Sequence, residues 1–354
     1  AEKTTIESNI KRAKYQALLF NLVEIVHLNR TNRRYPATPQ VIALILQYLQ
    51  SEELLSKFAS TIKDIHTLKA DSDALAAFLE DNTNRLWPLI TSLALVGRTR
   101  DVDKLLGYLV ELPISVRNKS HDIDLDDLNL IHKLRIMSQQ RPIFDIKSSR
   151  ADYMRLFNQW RSDCNQILIQ ANFESDGITS DITGSGNDPR VRAIFEIYSG
   201  NEDAIKKAAK SWYQILAAQL LYVDPNAADE RLYDLTKECM AQKPTPANAS
   251  PQDVYNKLIL KFMHETEVAT VLIKGEAEYG LTPWFIAHVT DLLWHKKTSA
   301  EVNTRVREDA IIKYVTQLFK EDASTWHTCV DYLRFCPLAG APVIAEILDK
   351  ISVD

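Results

Sequence analysis

The stretch from Thr282 to His295 constrains the fold more than any other part of the sequence. It reads Thr-Pro-Trp-Phe-Ile-Ala-His-Val-Thr-Asp-Leu-Leu-Trp-His and is followed by two lysines. Thr282 is a good helix N-cap, and Pro283 suits the first helical position, where its missing N–H costs nothing. Lysines just after the last turn favour the negative end of a helix dipole. The sequence therefore predicts a helix here with both of its ends marked.

This predicted helix is apolar around almost its whole circumference. Its apolar members are Trp284, Phe285, Ile286, Ala287, Val289, Leu292, Leu293 and Trp294. A helix that is apolar all round is typically a buried one. We therefore expect it near the middle of the protein, with other helices packed round it. On that expectation, truncation of the Trp284 side chain to alanine costs about 3–5 kcal/mol of folding free energy.

The polar stripe on this helix consists of His288, Asp291 and His295. Positions three and four apart are neighbours on a helix, so the stripe is a candidate metal site. His288 and His295, however, are seven residues apart, roughly 10 Å along the axis at 1.5 Å per residue, so they cannot ligate the same ion. Because buried polar groups are usually paired, we favour a buried Asp291 carboxylate that is satisfied by a histidine and by backbone.

Charge and cysteine usage limit the classes of function. The chain has 354 residues and a formal net charge of −5, which gives no electrostatic footprint for nucleic acid or an anionic membrane. No apolar run reaches about 18 residues, so we expect no transmembrane span. The cysteines form no C-x-x-C pair and fall in or beside helical patterns, which favours buried free thiols in a reducing compartment. They are Cys164, Cys239, Cys329 and Cys336.

Helical patterns cover most of the chain, and we expect helix in roughly 70% of residues. No run of alternating β-branched residues predicts a sheet, and no fixed repeat period supports a tetratricopeptide, HEAT or ankyrin array. Short connections favour antiparallel neighbours. The pattern predicts an all-α fold, an irregular α-solenoid forming one elongated body over residues 1–354. Two segments stand apart: a polar, mobile loop at about 173–188 and a proline-containing linker at about 243–250.

Two of the predicted helices have long, uninterrupted apolar stripes. Asn201 caps a helix whose apolar stripe continues to Leu216. Ser250 opens a long helix whose apolar stripe continues to Ala269.

The sequence contains no convincing enzyme signature. Asp122–Asp127 is acid-rich, but counting from Asp122 as an EF-hand loop, position six is Asp127 instead of glycine and position twelve is Lys133 instead of glutamate. A solvated acidic helix start is the favoured interpretation. We therefore predict no catalytic, cofactor-binding or metal-binding residues.

The densest basic cluster is formed by Arg30, Arg33 and Arg34 in a short loop. A solvated loop is the favoured interpretation, and a docking patch for an acidic partner is the alternative. The tryptophans lie at helical spacing from other hydrophobic residues, which indicates core anchors and not a base-stacking platform. The predicted structural core includes Trp87, Trp212, Tyr213, Trp284, Phe285, Asp291, Leu292 and Trp326.

Four stretches, in this order, carry a resemblance to a known family. The first contains Leu-Trp-Pro-Leu-Ile-Thr-Ser-Leu-Ala-Leu-Val-Gly-Arg, the second begins Ser-Trp-Tyr, the third is the helix described above, and the fourth contains Val-Asp-Tyr and Cys-Pro. They are Leu86–Leu106, Ser211–Pro225, Pro283–His295 and Trp326–Ile347. With them the chain resembles the eighty-five-kilodalton nucleoporin family, members of the Y-shaped outer-ring scaffold of the nuclear pore.

The resemblance implies the fold-back helical element that nuclear-pore scaffold proteins share with vesicle-coat proteins, with an out-and-back trunk, a crown and a separate tail module. It implies a non-enzymatic scaffold at the nuclear pore complex that supports nucleocytoplasmic transport of protein and mRNA. The implied partners are other outer-ring nucleoporins, among them a β-propeller whose missing blade is supplied by strands N-terminal to the helices. Because the sequence begins already helical and stops at Asp354, we expect the donated blade and the tail module to be absent and the chain to be trunk and crown.

Two alternatives remain at this stage. One is a vesicle-coat protein or another helical adaptor of the same architecture. The other is an all-helical, metal-dependent enzyme that uses the stripe of His288, Asp291 and His295 or the acids of Asp122–Asp127.

Overall fold

The computed structural model describes residues 2–28, 53–68, 71–110, 125–143, 149–173, 188–228, 231–243, 258–297 and 300–351. Every regular element in these ranges is helical, which confirms the predicted all-α class. The α-helices are α1 (Glu2–Val23), α2 (Glu53–Leu68), α3 (Ser72–Leu95), α4 (Thr99–Val110), α5 (Leu125–Gln140), α6 (Arg150–Phe173), α7 (Pro189–Tyr198), α8 (Glu202–Ala208), α9 (Trp212–Ala218), α10 (Arg231–Gln242), α11 (Glu265–Tyr279), α12 (Pro283–Lys296), α13 (Thr304–Glu321), α14 (Trp326–Leu333) and α15 (Gly340–Asp349).

The helices belong to two compact units. The terminal unit combines Ala1–Ala37 with Thr245–Asp354, and the middle unit is Thr38–Pro244. In each unit, helices that follow one another along the chain pack against one another, as in an irregular α-solenoid. The single elongated body predicted for residues 1–354 stays a prediction. None of the described helices combines the length and the apolar character needed to cross a lipid bilayer.

In the terminal unit, α12 is the helix that most of the others contact. It packs against α11 and α13 and also against α1, so the chain returns here to its first helix. The hydroxyl of Thr282 accepts a hydrogen bond from the Phe285 N–H at 3.3 Å, which confirms the predicted N-cap. Helices α14 and α15 pack in turn on α13. The fold-back of the chain is therefore visible within this unit alone.

The middle unit is built round α3, which contacts α2, α4, α7 and α9. Its core contains a buried ring cluster of Trp160, Tyr198 and Tyr222. Burial raises the pKa of Tyr222 to about 12, so its phenol stays protonated and donates to the Ala94 carbonyl at 2.6 Å. Each buried ring in this cluster thus keeps its polar atom satisfied, as close packing requires.

Two helices that the sequence predicts as continuous are interrupted. The helix that begins after Asn201 ends at Ala208, and Ala209 is extended before α9 starts at Trp212. The side-chain carbonyl of Gln214 accepts the Lys210 N–H at 2.7 Å, so the break leaves that donor satisfied. Likewise, His264 is extended between the helical residues 258–263 and α11. Apolar spacing continued through both breaks, and for that reason the prediction of continuous helices was wrong.

The predicted core residues have unequal burial. Trp87, Trp212 and Phe285 are buried, whereas Trp284 is 47% exposed, so its predicted burial was wrong. Trp284 lies in the first turn of α12, where its ring stacks on Phe20 and also contacts the ring of His288, and nearly half of its surface stays in water. An apolar pattern around the whole circumference of a helix does not show how far along that helix its neighbours extend. The other predicted members, Tyr213, Leu292 and Trp326, are half-buried.

Other predictions have different outcomes. The four cysteines are free thiols and buried, which confirms that part of the prediction. Burial raises the pKa of Cys239 to about 12, with the neighbouring Glu238 carboxylate adding to the shift. The reducing compartment stays a prediction. Residues 174–187 of the predicted loop and 244–250 of the predicted linker lie outside the described residues.

We expect adjacent residues of α12 to differ in their contribution to stability. Phe285 is fully buried and its ring lies 5.9 Å from that of Phe262, so Phe285→Ala should lower the free energy of unfolding by about 3–5 kcal/mol. Trp284→Ala should cost about half as much, because nearly half of the indole already contacts water. Urea unfolding of the two variants measures the difference. Equal losses would contradict the assigned burial.

Candidate functional site

Aromatic rings surround the outer face of α12 in the terminal unit. The ring of His288 lies 4.6 Å from Trp284 and 5.7 Å from both Tyr314 and Tyr332, centroid to centroid. Tyr314 and Tyr332 meet edge to face at 5.4 Å. Rings on α12, α13 and α14 therefore form one contiguous aromatic cluster.

The hydrogen bonds of His288 involve both of its ring nitrogens. Its Nδ1 lies 2.7 Å from the Trp284 carbonyl oxygen, which can only accept, so Nδ1 carries the proton. Its Nε2 lies 2.9 Å from the Tyr332 hydroxyl, which donates to it in the neutral imidazole. Both ring nitrogens are thus occupied by protein groups, which leaves neither free for a metal ion.

Asp291 has a different environment from the one expected. Its carboxylate is one-third exposed, and its shortest contact is with Arg307, whose Nε donates to Oδ1 at 2.5 Å. His295 lies farther away, with Nε2 at 3.7 Å from the same oxygen. The prediction of a buried carboxylate satisfied by a histidine and backbone was therefore wrong: an arginine on the next helix is the main partner.

Arg307 connects three parts of the terminal unit. Beyond its bond to Asp291, its Nη1 donates to the Phe335 carbonyl at 2.7 Å, and its guanidinium lies over the Trp294 ring at 4.6 Å. Its side chain is only 6% exposed. A buried guanidinium needs such partners, because an unpaired charge away from water is very costly. Arg307 thus joins α12 to the turn between α14 and α15.

The neighbouring Glu308 holds the same turn, which comprises residues 334–339 and is called the α14–α15 turn below. Its buried carboxylate accepts the Leu338 N–H at 3.0 and 3.1 Å and the Ala339 N–H at 2.8 Å. The next residue, Gly340, has no room for a side chain, since a Cβ there would lie 2.3 Å from the Leu333 carbonyl oxygen. The turn is therefore held by hydrogen bonds and by close backbone contact.

Sequence reasoning missed Arg307 and Glu308. A signal for them existed: Arg307, Ile311 and Val315 recur every four residues on α13, and the latter two are buried hydrophobic residues. Helical spacing thus places the adjacent charges on or beside the buried stripe. Charged residues in a sequence are usually assigned to the solvated surface, because they are rarely buried without a partner. The backbone groups that pair with Arg307 and Glu308 lie far away in the sequence.

A cavity of about 410 Å³ opens beside these residues. It is mostly apolar, with two carboxylates, two imidazoles and the edge of the guanidinium in its wall. The lining residues are Ala287, His288, Asp291, His295, Arg307, Ile311, Asp331, Tyr332 and Phe335. Burial raises the pKa of the nearby Cys336 thiol to about 11, and the Glu308 carboxylate adds to the shift, so this thiol stays protonated near neutral pH.

The polar side chains beside α12 are paired with one another across helices. Across the described ranges, His, Cys, Asp and Glu side chains form no group of three that could hold a metal ion. The stripe of His288, Asp291 and His295 does lie along one side of α12. His288 binds Tyr332 and Asp291 binds Arg307, whereas the nearest charged partner of His295 is Asp291 at 3.7 Å. The basic candidates Arg30, Arg33 and Arg34, and residues 122–124 of the acid-rich stretch, lie outside the described residues.

Comparison with known proteins gives a consistent result. The sequence profile of the family described as Nup85 nucleoporin matches residues 2–354. The chain is 23% identical to the nuclear pore complex protein Nup85 of Xenopus tropicalis over 368 aligned residues, which cover 100% of this chain and 49% of that protein. It is 23% identical to human Nup85 over 82% of this chain and 42% of that protein. It is 24% identical to NUP85 of Arabidopsis thaliana over 74% of this chain and 37% of that protein.

We expect the stability of the terminal unit to depend on the Glu308 carboxylate. Glu308→Ala removes the acceptor of two backbone N–H groups in the α14–α15 turn, and we expect a loss of about 1.5–3 kcal/mol in the free energy of unfolding. The matched control is Asp309→Ala, which removes an exposed carboxylate from the next position of α13. Urea denaturation measures both variants, and a loss no larger than that of the control would contradict the role given to Glu308.

Proposed function

Since this chain belongs to the Nup85 nucleoporin family, we propose that it acts as a structural scaffold in the outer ring of the nuclear pore complex. The observation that carries the proposal is a family match that extends over residues 2–354 and so includes both units. Stacked helices suit such a role, because their exposed faces offer extended surfaces for other proteins.

The side-chain chemistry of the terminal unit supports a scaffold over an enzyme. The polar groups beside α12 are committed to one another: His288 to Tyr332, and Arg307 to Asp291 and the α14–α15 turn. These contacts join helices and leave no activated nucleophile paired with a base. We therefore propose that the protein is not an enzyme and that its surfaces carry its function.

The proposed partners are other outer-ring nucleoporins, including a β-propeller nucleoporin, and the proposed location is the nuclear pore complex in the nuclear envelope. The chain spans about half the length of the curated relatives it matches. Partners and a role in transport of protein and mRNA are accordingly proposals for this chain. Its four buried free thiols support a reducing compartment.

The scaffold proposal predicts where the protein is found in cells. A fluorescent fusion at the natural locus should label the nuclear rim, and affinity capture of the same fusion should enrich other nucleoporins at constant ratios. The free fluorescent protein is the control for both measurements. Cytoplasmic puncta with enrichment of vesicle-coat subunits would overturn the proposal in favour of a coat adaptor, the alternative with the same helical architecture.

A second prediction concerns the propeller partner. Blade donation is a form of strand addition, in which main-chain hydrogen bonds along strand edges supply much of the affinity. Because the described residues of this chain offer helices and no strand, residues 1–354 alone should bind a β-propeller nucleoporin weakly. Titration calorimetry of this chain, and of a form with a blade-forming segment added at its N-terminus, measures the contribution of the segment. A nanomolar Kd for residues 1–354 alone would place the main docking surface on the helices and contradict the prediction.

A further inference from the structure

The cavity bounded by α12, α13 and α14 has the features of a binding pocket. Its volume of about 410 Å³ is within the range of known ligand pockets, roughly 300–1,000 Å³. Its wall combines aromatic faces with a small number of charged groups, which is the usual composition of such pockets.

The charges of the wall favour a cation. Asp291 and Asp331 both line the cavity, and among its described lining residues Arg307 is the one arginine or lysine. The guanidinium of Arg307 is already committed to Asp291, to the Phe335 carbonyl and to the Trp294 ring. Arg307 therefore neutralises Asp291, and Asp331 remains as the lining carboxylate whose ion pair is solvent-exposed.

The Asp331 carboxylate is available to a ligand. Its side chain is 73% exposed, and it lies 3.7 Å from the guanidinium of Arg334, a similarly exposed residue at the start of the α14–α15 turn. Exposed pairs of this kind contribute little to stability because water screens them and both side chains lose freedom. A cation that enters the cavity can replace Arg334 at small cost.

The aromatic faces favour a planar cation. Tyr332 and Phe335 line the cavity together with the imidazole of His288. A guanidinium stacks on aromatic faces and binds carboxylates through its fixed fork of N–H donors, whereas the ammonium of lysine is a compact and strongly hydrated charge. Among the cations of proteins, the arginine side chain fits this wall best.

The α14–α15 turn, which contributes Phe335 to the cavity wall, carries further exposed apolar surface. Phe335 and Leu338 are 69% and 68% exposed, although both belong to the α14–α15 turn that Arg307 and Glu308 hold. Exposed apolar side chains on a fixed backbone lose little further freedom when a partner covers them, so they contribute more of their burial to affinity.

We propose that this cavity is a docking site for an arginine side chain of a partner protein, with an adjacent apolar residue of that partner contacting Phe335 and Leu338. The proposal deepens the scaffold function proposed above, since it names the chemistry of one partner contact.

The test uses residues 1–354 and a library of capped pentapeptides with arginine at the centre and every apolar residue on either side. A second library carries citrulline, which keeps the shape of arginine without its charge. We expect members of the arginine library to bind about tenfold more tightly than their citrulline counterparts by titration calorimetry or NMR. Binding should weaken by a similar factor in Asp331→Asn and in Phe335→Ala, each of which changes an exposed side chain.

The control is Asp309→Asn, which removes an exposed carboxylate from α13 outside this cavity and should leave binding unchanged. Equal binding of both libraries would show a purely apolar site and overturn the proposal. No binding by any member at millimolar concentration would also overturn it, as would an equal loss in the control variant. Each of these three results leaves the nuclear-rim localisation of the unaltered protein unaffected. The failure of this inference is therefore distinguishable from the failure of the scaffold proposal.

Discussion

Two adjacent charged side chains on α13, Arg307 and Glu308, determine how the last two helices of the terminal unit are arranged. A helix ends with carbonyl groups that lack partners and begins with N–H groups that lack partners. Arg307 donates to the Phe335 carbonyl just after α14, and Glu308 accepts two N–H groups just before α15. The cation thus lies at the negative end of one helix and the anion at the positive end of the next. A third helix supplies the caps that the short turn cannot supply for itself.

This arrangement fixes geometry more than it adds stability. The desolvation of two buried charges offsets much of their mutual attraction, so a buried ion pair is weak evidence of a large net gain in stability. Removal of one partner is nevertheless destabilising, because it leaves the other charge uncompensated. The partner of Arg307 on α12, Asp291, is one-third exposed, which weakens that contact further through screening. What the contacts do specify is register, because the guanidinium meets Asp291, Trp294 and the Phe335 carbonyl in only one placement of the helices.

Local signals in the sequence predicted helix starts well. The N-cap of α12 at Thr282 and that of α8 at Asn201 depend only on neighbouring residues, and both were predicted. Features that depend on distant residues were not predicted. The break at Ala209 and the exposure of Trp284 are set by what packs alongside, and apolar spacing carries no information about the extent of the neighbour. The site was missed for the same reason, since the α14–α15 turn that Arg307 and Glu308 hold lies some thirty residues away in the sequence. Its one local signal was the four-residue spacing from Arg307 to buried Ile311 and Val315.

The exposure of Phe335 and Leu338 has a different meaning from the exposure of other apolar side chains in the terminal unit. Single exposed hydrophobic residues such as Ile273 are common on protein surfaces and need no explanation. A short turn with two of them would normally bury one by a small backbone shift, since each gains free energy by leaving water. Here the hydrogen bonds from Arg307 and to Glu308, together with the close contact at Gly340, oppose that shift. The same polar contacts that order α14 and α15 therefore keep an apolar surface in water beside an open cavity, and such an ordered surface is ready to be covered by a partner.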